Sequence, residues 1–287
     1  MFQQQSSQIP SADEREIDRM YYDSMENELK INLDEEVPAP PIAISFGTHT
    51  YTNIRGTFTE PSAIGTDGNF SFIQAPPKSY KSYFVSLLVA SYLNSGNRWS
   101  RDMKSNRNGR DVFHFDTEQG KWHCLKGFRR SSDMSEEQNG YHTYTLRTID
   151  FFKRLGFIEH KLANAPEGSI GLVVIDGIAD LVSDVNNIEE SGKCVQKLME
   201  MSTKYNCHIV TVIHSNYGSE KPTGHLGSFC EKKTECQISL KRQEENPKIV
   251  DVTCKRSRNA SFDDFSFFVN KLGYPEIIEA IVPTIDY

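Results

Sequence analysis

No stretch of this 287-residue chain approaches the ~20 consecutive apolar residues that a membrane helix requires; the longest, Phe84–Leu93, is interrupted by two serines and a tyrosine. The opening residues, MFQQQSSQIPSADERE, lack a basic segment followed by an apolar one, so no signal peptide is read there and a cytoplasmic protein is the expectation. Cysteine is sparse and unpatterned. The six residues (Cys124, Cys194, Cys207, Cys230, Cys236, Cys254) form no CxxC pair and no metal-type spacing with histidine, which argues against a zinc module or a disulfide framework and for buried reduced thiols. Without an export signal, the sequons at Asn69 and Asn259 carry no weight. An excess of positive charge is missing too: the net charge is −7, and residues 1–36 account for all of it with ten acids and three bases. The remaining body is neutral, which neither announces a polyanion partner nor excludes a local basic groove. There is no internal repeat.

What is present divides into two parts, an appended segment over residues 1–40 and a domain over 41–287. Met1–Pro10 is polar, Gln/Ser-rich and expected to be disordered. From Ser11, the text SADE fits a capping box with Ser11 as N-cap and Glu14 at N3, followed by Ile17, Met20 and Tyr21 at helical spacing, so an amphipathic helix is expected over about 12–30. NLDEEVPAPP then reads as a linker. Beyond Ile42, strand-like runs appear at IAISF, 70–75, 111–116, YHTYTL, 172–176, 208–214, 236–241, 249–255 and 265–269. Helices fit best at 82–95, 149–163 and 188–205. Helices interspersed among the first strands, then three closely spaced strands, imply a mainly parallel sheet with an antiparallel extension.

Residues 75–82, APPKSYKS, separate a strand-like run from a helix-like one. A phosphate loop works because backbone N–H groups and a helix N-terminus converge on phosphate oxygens, with a lysine adding charge and a Ser/Thr hydroxyl reaching magnesium. Lys81 and Ser82 fill the last two places of G-x-x-x-x-G-K-[ST], while Ala75 and Tyr80 stand where the glycines belong. Tyrosine is the larger departure, because glycine takes φ > 0 at no steric cost; Tyr80 is accommodated if its backbone keeps an α-like geometry. Three further apolar runs end in polar groups. LVVID delivers Asp176 as a strand delivers an acid to magnesium. FHFDTEQ delivers Asp116 and Glu118, expected to project from one side of a strand end, where a carboxylate can deprotonate an attacking water. IVTVIHSN delivers His214 and Asn216. Open α/β sheets bind ligands at the carboxyl ends of their strands, so these four runs form a constellation.

In this order, the segments resemble the RecA-like ATPases and, within them, the RepA-type hexameric replicative helicases and related ATPases of phages and mobile elements. The resemblance spans about residues 60–275. It takes APPKSYKS as Walker A, FHFDTEQ as the strand carrying the catalytic Glu, LVVIDG as Walker B and IVTVIHSN as the sensor strand. GHLGS at 224–228 falls in the DNA-facing loop region, and CKRSRNASFDDFSF at 254–267 is the basic finger segment. It implies an α/β, RecA-like three-layer fold, ATP and Mg2+ as ligands, single-stranded DNA as partner and a homo-oligomeric ring, a hexamer. Residue by residue it implies Lys81 on the β/γ-phosphates, Ser82 and Asp176 on magnesium, Glu118 as base and His214 as γ-phosphate sensor. It also implies a nucleotide cradle made by Pro77, Lys78, Ser79, Tyr80 and Tyr83 together with Lys81 and Ser82, and basic fingers at Arg256 and Arg258 that reach a neighbouring subunit. The stretch Tyr217–Lys233, with Lys221, His225, Lys232 and Lys233, is expected to be a DNA-contacting loop. The function expected is an ATP-driven motor on single-stranded DNA. The alternative is a nucleotide-binding switch or scaffold with little turnover, because the loop has lost its glycines; a RecA-like kinase or recombination mediator is a third option.

Overall fold

A computed structural model describes residues 12–94, 99, 102–135, 137–216, 219 and 221–278. Met1–Pro10, the expected cap Ser11, Ser95 at the expected end of the helix over 82–95, and Tyr217, Gly218 and Glu220 lie outside the described residues. The chain divides into two compact units, Met1–Ala39 and Pro40–Tyr287. The first contains helix α1 (Ala12–Leu29), on which Ile17, Met20, Tyr21 and Leu29 are exposed.

In the second unit, β1 (Ile42–Asn53) and β2 (Gly56–Thr66) form a long antiparallel hairpin, and β3 (Phe70–Ala75) leads into α2 (Lys81–Leu93). The short β4 (Met103–Ser105) precedes β5 (Asp111–Asp116), α3 (Lys121–Met134), β6 (Tyr141–Thr145), α4 (Phe151–Ala163) and β7 (Ile170–Asp176). After a 3-10 turn at Ile178–Leu181 come α5 (Ile188–Lys204), β8 (His208–His214), α6 (Gly224–Lys233), β9 (Cys236–Arg242), β10 (Ile249–Ser257), β11 (Phe265–Val269) and β12 (Pro275–Ile278). The main sheet has nine strands in the order β12-β11-β10-β9-β3-β8-β7-β5-β6, and a smaller sheet has the order β2-β1-β4. From β9 to β6 the neighbours run parallel, while β10, β11 and β12 are antiparallel additions.

Alternate residues of a strand point to opposite faces, and here both faces are apolar, as a sheet covered on both sides requires. Ile73, Val174, Val210 and Val212 share one core with α2, whereas Phe72, Val173, Ile175 and Ile209 share the other with Ile158 and Leu162 of α4 and Val195 and Leu198 of α5. The result is a three-layer α/β fold. Helix α2 has no polar face: every residue from Phe84 to Leu93 is buried, because Ala43, Ile44 and Ile64 of the hairpin belong to the same core as the helix. Side-chain caps fix the starts of α4 and α5, with Asp150 accepting from Phe152 N at 3.0 Å and Asn187 from Glu190 N at 3.1 Å. The start of α2 has no side-chain cap.

Several elements depart from the sequence reading. IAISF is the first part of a 12-residue strand. The outer half of the hairpin is an exposed arm, stitched by Thr50–Thr59 and Thr52–Thr57 hydroxyl pairs at 2.9 and 3.0 Å, with the Tyr51 ring stacked between His49 and Phe58. Its outer strand, β2, carries Pro61. Helix α3 was not expected, and the stretch read as a DNA-contacting loop contains α6, so His225, Lys232 and Lys233 lie on a helix. All six cysteines are free thiols, and all but Cys254 are fully buried. Among the described residues no helix is long and apolar enough to cross a membrane.

Candidate functional site

Strands β3, β8, β7 and β5 are neighbours and end at one sheet edge, with Ala75 beside His214, Asp176 beside Val212, and Asp116 beside Asp176. That edge opens on a cleft of about 670 Å3 lined by Pro77 through Tyr83, Glu118, Gln119, Asp176, His214 and Arg242. The phosphate-loop residues therefore meet Glu118, Asp176 and His214 in one place. Lys81 Nζ is 3.1 Å from His214 Nδ1 and donates to the Pro76 carbonyl at 3.3 Å. His214 Nε2 is in turn 3.6 Å from Glu118 Oε2, so a lysine, a histidine and a carboxylate form a chain across the cleft.

The loop backbone answers the missing glycines in two ways. Ala75 is an ordinary strand residue, paired with His214, and needs no special conformation. Tyr80, contrary to the α-like expectation, is left-handed at φ 64 and ψ 25, the region a glycine would occupy, and Lys78 is left-handed at φ 61. The turn is closed by Ser79 Oγ donating to the Pro76 carbonyl at 2.6 Å, and α2 begins with Tyr83 N and Phe84 N donating to the Tyr80 carbonyl.

Asp116 and Glu118 do not share a role. Strand β5 stops at Asp116, which is buried and accepts from the backbone N–H groups of Glu118 at 3.0 Å and Gln119 at 2.7 Å. That carboxylate shapes the turn. Glu118 lies in the turn, with its side chain largely exposed. Thr117 ties this turn to the end of β7: its Oγ1 lies 2.8 Å from the Gly177 carbonyl and 2.9 Å from Asp180 Oδ2.

Burial lowers the pKa of the Lys81 ammonium, against the pull of the Asp176 and Glu118 charges. Burial also pushes Asp176 up to about 7, helped by the neighbouring Asp116 charge and opposed by Lys81. Glu118 moves the other way, down, chiefly because the His214 imidazole 3.6 Å away favours its carboxylate form. The cleft thus holds a cation and a carboxyl whose charged forms lack sufficient partners, which phosphate oxygens and a hard divalent cation supply together. Ser82 and Asp176 are oxygen donors of the kind Mg2+ accepts. Among the described residues no group of three His, Cys, Asp or Glu could hold a metal ion.

Arg256 and Arg258 are not in this cleft. They lie beside the first residues of β9, Arg256 pairing with Gln237, and Arg258 donates to the Lys233 carbonyl at 2.9 Å. Gln119 and Arg242 are cleft residues that the sequence reading did not single out. Gln119 sits inside the quoted FHFDTEQ, and Arg242 is one residue past the expected end of its strand.

Residues 65–220, more than half of the chain, match the family described as AAA domain. The chain belongs to the AAA domain family. No curated protein sequence matches this AAA domain chain. Among solved structures it is similar to the ATPase domain of G40P, with 14% identity, a TM-score of 0.55, and coverage of 75% of this chain and 87% of that one. It is also similar to the RadB recombinase, with 17% identity, a TM-score of 0.51, and coverage of 74% and 92%. The fold is that of the RecA-like P-loop ATPases.

Proposed function

We propose that the chain binds ATP with Mg2+ and hydrolyses it to ADP and phosphate, as a cytoplasmic, ring-forming motor on single-stranded DNA, a replicative helicase of a phage or mobile element. Residues 41–287 act as the ATPase domain and residues 1–40 as its appended segment. The observation that supports this most is the convergence of Lys81, Ser82, Glu118, Asp176 and His214 on one cleft at the carboxyl edge of the sheet. In this reading Lys81 exchanges its His214 contact for the β/γ-phosphate oxygens, while Ser82 and Asp176 hold Mg2+, which neutralises phosphate charge when bound. The loop backbone from Pro77 to Tyr83 wraps the phosphates. Glu118, kept ionised by His214, takes the proton of the attacking water, and His214 donates to the γ-phosphate. Arg256 and Arg258 complete a neighbour's site, six chains forming the ring, and Lys221, His225, Lys232 and Lys233 on and before α6 face the DNA strand.

The decisive measurement is ATP hydrolysis with and without single-stranded DNA, taken alongside the oligomeric mass, with Lys81→Ala as the control that abolishes nucleotide binding. DNA-stimulated hydrolysis by a ring-sized particle supports the motor. One observation favours a second reading: a tyrosine, in place of a glycine, occupies the left-handed position of the loop. Tight nucleotide binding by a monomer with negligible turnover turns the proposal into that nucleotide switch.

A further inference from the structure

Two residues of the phosphate loop, Lys78 and Tyr80, occupy left-handed backbone space without being glycine. Such conformations persist only where the surroundings over-determine them. One side chain touches both. Arg242, the last residue of β9, donates Nη1 to the Lys78 carbonyl at 3.5 Å and lies 5.0 Å from the centroid of the Tyr80 ring. It is itself fixed: its Nε donates to the Pro247 carbonyl at 2.7 Å, and its backbone pairs with Val250 across the β9–β10 ladder. A guanidinium suits this task because its plane lies on an aromatic face while its edge hydrogen-bonds a carbonyl, which an ammonium cannot do at once.

We propose that Arg242 is a positioning residue that holds the glycine-free phosphate loop in its left-handed, phosphate-accepting form. Glycines supply that conformation from within the chain, by costing nothing at φ > 0. Here it is supplied from outside, by a residue 164 positions further along the sequence. Relaxation of Tyr80 toward right-handed space turns the peptide plane that leads into Lys81 and so misdirects the N–H groups at the start of α2. Arg242 blocks that movement by engaging the Lys78 carbonyl on one side of Ser79 and the Tyr80 ring on the other. Strand β9, the last of the parallel run, thereby acquires a role in the site, and the antiparallel extension supports it through the Pro247 carbonyl and the pairing of Val250 with Arg242. The inference rests on the ATP-site reading above.

The test is a double-mutant cycle on the full chain with Mg2+ and a fluorescent ATP analogue. Arg242→Ala is expected to weaken binding by about tenfold in the native background and by only about twofold in the Tyr80→Gly background, since the strain that needs the clamp is gone. Arg242→Lys, which keeps the charge but not the plane, should resemble Arg242→Ala. Equal losses in both backgrounds, or recovery by Arg242→Lys, overturn the proposal and make Arg242 a direct phosphate contact. Hydrogen exchange supplies a readout that needs no nucleotide: the amides of Ser79–Ser82 in the free protein should exchange several-fold faster in Arg242→Ala while β3 and β8 stay protected. Unchanged exchange overturns the clamp. Faster exchange in a protein whose native form binds no ATP analogue leaves the clamp standing and removes the ATP reading instead.

Discussion

A tyrosine at φ 64 places its Cβ against the following carbonyl, at a cost of roughly 1–2 kcal/mol that a glycine escapes. The loop therefore holds at Tyr80 the left-handed backbone that a glycine would supply, without the glycine letter. The rest of the site was legible for a simpler reason: Glu118, Asp176 and His214 each stand at or just past the end of an apolar run, and such runs become the adjacent strands β5, β7 and β8. Arg242 was not legible, because its contacts with Lys78 and Tyr80 exist only after the sheet has formed. Two predictions belong to single residues. Glu118→Gln should bind nucleotide normally and lose ~10²–10⁴-fold in turnover, checked by single-turnover kinetics. Near-native turnover moves the base elsewhere, and Asp116, already occupied by two backbone donors, is a poor substitute. The Asp176 carboxyl is pushed up to about 7 from its ordinary 3.8, so the folded protein binds its proton more tightly than the unfolded chain does. Stability from this group is complete below pH 3.8 and is lost as pH rises to about 7, with a slope of at most about 1.4 kcal/mol per pH unit. Asp176→Asn should consequently stabilise the nucleotide-free protein above pH 4, by an amount that grows to pH 7 and then levels off in thermal melts.

Among the elements, α2 carries the largest structural burden, since it is enclosed by the main sheet on one side and the hairpin on another. Leu88→Ala should cost about 2–5 kcal/mol, read as a lower urea midpoint with an unchanged m-value, because a cavity there has no mobile surface to collapse it. Strands and helices with regular apolar spacing were legible, and α4, α5 and α2 lie within two residues of their expected limits. The elements that were missed each hide their pattern. Helix α3 buries only Cys124, Ser131 and Met134, which makes no apolar stripe. Helix α6 falls within the stretch expected to be a DNA-contacting loop, and its Gly227 is required where the helix packs tightly against Pro222. The outer arm of the hairpin alternates threonine with aromatic residues on two exposed faces, so no hydrophobic face announces it.

At the scale of the whole molecule, Arg256 and Arg258 lie away from the chain's own cleft, a placement that fits a role in another subunit. Arg258→Ala should then bind nucleotide and lose on the order of 10³–10⁵-fold in hydrolysis, the range for fingers supplied in trans. Mixed with Glu118→Gln chains it should regain activity, because an intact base on one chain meets an intact arginine on the next. Co-assembled mixtures as inactive as either parent assign the arginine to its own chain. The hairpin arm has a separate consequence, for the behaviour of many molecules in one tube. Among the described residues, strand β2 is an edge of the smaller sheet, and an open edge recruits copies of itself unless its row of donors is broken. Pro61, exposed within that strand and lacking an N–H, breaks it. Pro61→Thr should restore the donor, leave the cleft around Lys81 untouched, and make concentrated protein scatter light as the arms pair edge to edge.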